Sequence, residues 1–273
     1  MPSLFQISSY ARYWLDAVDE HSLHSPFFFD LYTKAINSKF QIPNFKLGTS
    51  GQINILPYQG IEQLRQKLLQ DQRAIPRSTF GAGSAVVKDA SPTVAEIART
   101  SLTPPKYLAA YARVVKHLQY ANIVELGTSL GISTLYLAHT PGTRVTTFEG
   151  SPQIADIART TFEFSGAKNI TLVEGNIDTT VPAWLLSARS IDLAFIDANH
   201  RHEATLRYFT WLLPKLQPGG AIILDDIHYS PEMEQAWTDI KAHKLVYATA
   251  DLYKCGIAFL DPSLNRQHLT LQL

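Results

Sequence analysis

Gly127 and Gly131 stand four apart at the end of Asn122-Ile123-Val124-Glu125-Leu126-Gly127-Thr128-Ser129-Leu130-Gly131, an apolar strand that runs into a turn and then a helix. Glycine serves where a chain must leave a strand sharply and where backbone has to approach a ligand without a Cβ in the way. This is the form of a nucleotide-binding turn. The strand that follows, residues 144–149, ends in Glu149, and an acid at that place in a doubly wound sheet is the usual partner of a ribose diol. Two later apolar runs end in Asp197-Ala198-Asn199-His200 and Asp225-Asp226-Ile227-His228, carboxylates and imidazoles of the kind that move protons. One ligand class fails on spacing. A dinucleotide turn wants G-x-G-x-x-G, and Ser129 and Ile132 occupy the places of its second and third glycines.

Those residues need a scaffold that brings strand ends together. From residue 122 onward strand and helix patterns alternate, which predicts a parallel sheet covered by helices on both faces. The strands are read at 122–126, 144–149, 170–174, 191–196 and 219–225. Ser151-Pro152 opens the second helix with a cap and a proline at its first position, and Gly166 closes it. Pro218-Gly219-Gly220 reads as the turn into the fifth strand. After a helix over 231–243, residues 244–250 and 255–261 form two strands joined too tightly for a helical crossover, hence antiparallel. The first hundred residues differ, with aromatic helical patterns over 10–17 and 26–36 and a further helix over 60–70. Residues 73–90, with Pro76, Gly81, Gly83, Arg73, Arg77 and Lys88, read as a lid-like loop. Phe80-Gly81-Ala82-Gly83-Ser84 imitates a second nucleotide turn, but no buried strand precedes it and no long helix follows. Ser91-Pro92 opens a short helix, and Thr103-Pro104-Pro105-Lys106 the helix that delivers the chain to the first strand.

Composition narrows the partners. Lys+Arg and Asp+Glu balance at 24 each, so no global field favours nucleic acid or an anionic membrane. With 45% hydrophobic residues in 273 the chain can build a substantial core, and no window reaches the length of apolar chain that a membrane helix needs. The single cysteine, Cys255, and the absence of a basic segment leading an apolar run in Met1-Pro2-Ser3-Leu4-Phe5 set a cytoplasmic location as the expectation.

The acid, G-x-x-x-G and terminal hairpin resemble the class I S-adenosylmethionine-dependent methyltransferases, nearest to the O-methyltransferases of the catechol and caffeoyl-CoA type, over roughly residues 100 to 262. The resemblance implies a doubly wound, Rossmann-like α/β fold with a mostly parallel seven-stranded sheet and a C-terminal antiparallel hairpin, preceded by an N-terminal helical extension. The domains then run 1–100, the extension with its loop as acceptor cover or dimer contact, and 101–273, the cofactor-binding domain. It further implies S-adenosylmethionine held by Gly127, Thr128, Ser129, Gly131 and Ser133, with Glu149 on the ribose hydroxyls and Gly150, Ile177 and Asp197 alongside. Asn176 either serves the adenine edge or simply forms the turn, and Glu125 either binds the methionine amino group or ties the turn down. In the expected strand order the ends of the fourth and fifth strands are neighbours at the edge where such sheets bind ligands. Family members hold a divalent cation with an Asp after the fourth strand and Asp-Asn after the fifth; Asp197, Asp225 and Asp226 match by position and would suit Mg²⁺ or another hard cation, Asp226 replacing the Asn. The family's catalytic lysine falls at His200, which makes His200 the general-base candidate, with Asp197 beside it; the alternative is that His200 packs on the next helix or orients Asp197. His202 reads as a surface residue, and His228 as an acceptor-pocket or plain loop residue.

The expected function is O-methylation of a hydroxyl on a small aromatic or hydroxylated acceptor. The alternatives are a catalytically silent cofactor-binding domain and a methyltransferase with a nitrogen or other non-phenolic acceptor. The Asp/Asn-Pro-Pro-Tyr/Phe segment of amino-group DNA enzymes is missing after the fourth strand, which sets nucleic acid aside. Tyr10, Tyr13, Trp14, Phe27, Phe28 and Phe29 crowd the extension, either as plain core or as a contact surface; three successive phenylalanines cannot share one helix face, so at least one should meet a neighbour, a ligand or another subunit, and a homodimer is one expectation.

Overall fold

A computed structural model describes residues 3–37, 56–76 and 91–273. The expected loop from Arg77 onward, with Phe80–Ser84 and Lys88, lies outside these residues. Among the described residues one eight-stranded sheet has the order β3-β2-β1-β4-β5-β7-β6-β8. Its strands are β1 (Asn122–Leu126), β2 (Arg144–Glu149), β3 (Ile170–Glu174), β4 (Ile191–Ile196), β5 (Leu216–Asp225), β6 (Ala248–Asp251), β7 (Cys255–Phe259) and β8 (Gln267–Thr270). The first five are mutually parallel, and β7 lies antiparallel between β5 and β6. Strand order reverses between β1 and β4, so a crevice opens at the carboxyl ends of those two strands.

Alternation along each strand sorts the core into two layers. Ile123, Leu193, Phe195, Ile223, Ile257 and Phe259 face one layer, with Leu108, Tyr111 and Val115 of α5 (Pro105–His117) and Leu135 and Tyr136 of α6 (Ile132–Leu137). Val124, Leu126, Ala194, Ile196, Ile222 and Leu224 face the other. There α9 (His202–Leu212) and α10 (Pro231–Ala242) add Tyr208, Leu212, Trp237 and Ile240. Helices α7 (Pro152–Ser165) and α8 (Ile177–Ser187) follow β2 and β3; α7 starts at the Ser151 cap with Pro152 in its first turn and stops at Gly166 in the left-handed region, as expected.

The extension consists of α1 (Leu4–Asp16), α2 (Pro26–Leu31) continuing as a π-helical turn Tyr32–Ile36, α3 (Gln59–Gln70) and α4 (Val94–Ser101). Phe28, Leu31, Tyr32, Ile36, Ile61 and Leu68 join the same core layer as α5. Arg113 of α5 fixes the junction: its buried guanidinium donates to Ala35 O at 2.7 Å and to Ile36 O at 3.1 Å, which satisfies carbonyls left open where the π turn ends. The three phenylalanines separate as their succession requires. Phe28 is fully buried, Phe27 meets Phe259 edge-on at 5.0 Å, and Phe29 is exposed.

Several expectations need correction. The sheet has an eighth strand; β8 pairs parallel with β6 and is short and polar at the sheet edge, a weak periodic signal. Strand β5 starts at Leu216, because Leu216 already pairs with Ile191; Pro218, which lacks an N–H, and Gly219 at φ +86° are absorbed in a bulge before Ala221 pairs with Leu193. Strand β6 begins only at Ala248. The α4 cap is Thr93 rather than Ser91, because Thr93 and Glu96 form a reciprocal capping box.

Candidate active site

The turn after β1 is drawn tight by its neighbours. The amides of Gly127 and Thr128 both donate to Phe148 O, at 3.1 and 3.0 Å, and Ser129 N donates to Glu149 Oε2 at 2.9 Å. Gly127 has φ +104°, and a Cβ there would stand 2.1 Å from the backbone oxygen of Asp197. Only glycine lets β1 and β4 come so close. Gly131 serves packing instead: at φ +84° its missing Cβ leaves room for the Phe162 ring of α7, 2.6 Å from where it would be.

A cavity of about 490 Å³ opens beside this turn, within the usual size of small-molecule sites. Gly127, Ser129, Glu149, Gly150, Asn176, Ile177, Asp197 and His200 line it, together with Phe148, Asp178, Ala198, Asn199, Arg201 and Tyr208. Glu149 accepts Ser129 N on one oxygen and Ser151 N on the other, at 2.9 Å each, and a carboxylate so held keeps lone pairs for a diol. Burial raises its carboxyl above the ordinary value while those amides oppose the rise. Asn176 caps α8 by accepting Asp178 N at 2.9 Å. A wider cleft at the opposite edge of the sheet, among Gly142–Arg144 and Gly166–Asn169, contains no acidic side chain.

Four expected cofactor residues are not among the cavity's lining: Glu125, Thr128, Gly131 and Ser133. They build the wall behind it. Glu125, fully buried, accepts from Ser133 Oγ and Thr147 Oγ1 at 2.6 Å each and from Thr134 Oγ1, and Thr128 shares a 2.6 Å bond with Thr147. Burial pushes the Glu125 carboxyl up to about 7 against the pull of these hydroxyls.

At the end of β4, His200 Nε2 lies 3.4 Å from Asp197 Oδ1, and the imidazole is about 6.2 Å from the Tyr229 ring. Asn199 and His200 both hold positive φ, +66° and +42°, as do Ser129, Asp226 and Tyr253 around the same sheet edge. Such backbone persists only where surroundings over-determine it, and it gathers at functional sites. Burial first and Asp225 second hold the Asp197 carboxyl well above the usual range, with the Lys254 ammonium opposing. His202 is elsewhere: its Nε2 pairs with Asp239 at 2.7 Å across α9 and α10. His228 Nε2 donates to Asp251 Oδ2 at 2.9 Å and its ring stacks on Tyr253, so it braces the β6–β7 turn.

Sequence reasoning missed Lys254. Its Nζ donates to Asp225 Oδ2 at 3.0 Å and to Asp226 Oδ1 at 2.6 Å. The signal was present in the hairpin: an antiparallel strand beside β5 must begin at the edge where β5 ends. The expected grouping of Asp197, Asp225 and Asp226 about a divalent cation does not fit this arrangement. Hard cations bind oxygen at about 2.0–2.6 Å, and two of the three carboxylates that would supply it, Asp225 and Asp226, are already bound by an ammonium. Among the described residues no group of acids, histidines or cysteines is arranged to hold a metal ion.

Comparison with known proteins agrees with the geometry. Residues 124–227 match the family model described as a methyltransferase domain. Over 113 residues the chain is 33% identical to a catechol O-methyltransferase of Mycobacterium tuberculosis; the match covers 40% of this chain and 50% of that relative. The chain thus spans about half the length of this curated relative. Among solved structures, an O-methyltransferase from Bacillus cereus in complex with SAH superposes with a TM-score of 0.54 at 20% identity, covering 82% of this chain and 94% of that one. The O-methyltransferase TomG from Streptomyces achromogenes in complex with SAM gives 0.50 at 18% identity, covering 59% and 82%. At these identities the structures speak for the fold. No described helix is long and apolar enough to cross a membrane.

Proposed function

We propose that this chain, which carries a class I S-adenosylmethionine-dependent methyltransferase domain of the O-methyltransferase kind, transfers a methyl group to a hydroxyl of a small aromatic acceptor. One observation supports the reading: the cavity at the β1–β4 crevice is lined by both Glu149 and the Asp197–His200 pair, an acid suited to a ribose diol and an imidazole suited to accept a proton. When bound, S-adenosylmethionine supplies a methyl group on a sulfonium, which leaves as a neutral thioether. Glu149 accepts the ribose hydroxyls with its remaining lone pairs, and the glycine turn lets the backbone lie against the methionine end. Asn176 and Ile177 border the adenine. Asp197 orients His200, whose imidazole takes the acceptor's hydroxyl proton as that oxygen bonds to the methyl carbon. Close alignment of donor and acceptor supplies much of the rate.

The extension covers the acceptor side in this reading. Gln6 of α1 donates to Tyr229 O at 3.2 Å, and the Tyr253 hydroxyl donates to Gln6 O at 3.2 Å, so α1 borders the loop that faces His200. Ser101 at the end of α4 lies 3.0 Å from Ser129, hydroxyl to hydroxyl. Leu4, Ile7, Tyr10 and Trp14 repeat along one exposed stripe of α1, which supports a homodimer through that helix. The setting is cytoplasmic, where the buried thiol of Cys255 stays reduced.

The test is transfer of labelled methyl from S-adenosylmethionine to a panel of catechols, phenols and hydroxylated acids, beside calorimetry of cofactor binding. Turnover is expected, falling about 10²- to 10⁴-fold in His200→Ala with cofactor affinity unchanged. Cofactor binding without turnover on this panel, or on amines added to it, would instead support a silent binding domain.

A further inference from the structure

Strand β7 runs antiparallel to β5 and starts where β5 ends, with Cys255 opposite Asp225. The residue before it, Lys254, is thereby delivered to the ends of β5 from the hairpin side. Its ammonium donates to Asp225 at 3.0 Å and to Asp226 at 2.6 Å, and the Asp225 side chain is 2% exposed. The turn that presents it is fixed from several directions. Tyr253 N donates to Asp251 Oδ1 at 2.8 Å, Lys254 N to Leu252 O at 2.9 Å and Leu252 N to Cys255 O at 2.9 Å, while the Tyr253 ring stacks on His228 at 5.6 Å. Tyr253 at φ +68° and Asp226 at φ +54° hold left-handed backbone on the two sides of the ion pair. Strain kept on both sides of one contact marks a contact that the fold is built to make. Two adjacent carboxylates at this edge need positive charge, and a lysine with three N–H donors supplies it while keeping one N–H after both acids are satisfied.

We infer that Lys254 is this protein's built-in replacement for a divalent cation: its ammonium neutralises Asp225 and Asp226, excludes a metal from them, and offers its third N–H to the acceptor oxygen. The exclusion of metal stands on the ion-pair geometry alone; the contact with the acceptor rests on the methyl-transfer reading proposed above. Methyl transfer then proceeds without added metal. The proton still leaves through His200, and Lys254 remains charged throughout.

Titration of Mn²⁺ into the full chain, followed by electron paramagnetic resonance, tests the first part without any acceptor. Wild type is expected to leave the free Mn²⁺ signal undiminished up to millimolar metal, whereas Lys254→Met and Lys254→Gln take up one ion. Uptake of one ion by wild type, lost in Asp226→Asn, overturns the inference. Should the Lys254 variants fail to fold, the wild-type titration with that control decides alone. The second part is read in turnover: chelator leaves the wild-type rate unchanged, Lys254→Met lowers kcat about 100-fold with cofactor affinity intact, and Lys254→Arg recovers part of the loss. Loss of wild-type turnover in chelator overturns it. An absence of turnover on every acceptor counts against methyl transfer itself, and the Mn²⁺ titration still judges the cation.

Discussion

Glu125 carries its charge into the least hydrated place in the molecule. Burial pushes its carboxyl up to about 7, and the hydroxyls of Ser133, Thr134 and Thr147 only partly offset this. A glutamate in the unfolded chain releases that proton near its ordinary value of 4.5, so between these pH values the folded state binds more protons than the unfolded state. Stability from this group is therefore complete below the unfolded value and declines as pH rises toward 7, by about 2 to 3 kcal/mol between pH 5 and pH 8. In Glu125→Gln this component should vanish. Urea unfolding of both proteins at the two pH values checks it, and equal losses would remove Glu125 as the source. At the same scale, an acid ahead of a glycine turn was legible, while its direction was not. Glu125 shares a face of β1 with Ile123, toward α6, and only the placement of that helix turns it away from the cavity.

The turn after β1 couples two elements through a single missing side chain. Gly127→Ala would drive a Cβ into the Asp197 carbonyl at 2.1 Å from a left-handed backbone, and neither strand can yield without breaking its ladder. A loss of about 3 kcal/mol or more is expected. Gly131→Ala also strains φ, but its obstacle is the far edge of the Phe162 ring, which can tilt, so it should lose less. Thermal melts of the two variants decide the order, and a milder Gly127→Ala would contradict the close approach of β1 and β4. Glycine spacing was readable because the turn is local chemistry. The reason for each glycine was not, because Asp197 and Phe162 come from other elements.

Across the whole molecule, the described ends of the chain meet. Val18 N donates to Thr270 O at 2.9 Å and Gln272 N to Val18 O at 3.0 Å, and the Tyr13 hydroxyl reaches Leu271 O at 2.8 Å. These contacts hold α1 against the β8 edge of the sheet and leave the stripe of Leu4, Ile7, Tyr10 and Trp14 exposed, Trp14 at 68%. If this stripe joins two copies, light scattering should give twice the 30.5 kDa chain mass, and Trp14→Glu should return the monomer. A wild-type monomer mass at working concentration removes the dimer.

By itself the sequence determined the alternating α/β order, the glycine turn, the acid that ends β2 and the acids that end β4 and β5. Each of these is written in local periodicity, capping and turn chemistry, which depend on neighbours along the chain. Tertiary structure alone decided which carboxylates face a ligand cavity, which are walled in, and which are paired. Lys254 shows why: 29 residues separate it from Asp225, and only the antiparallel register of β7 on β5 brings that ammonium to those acids.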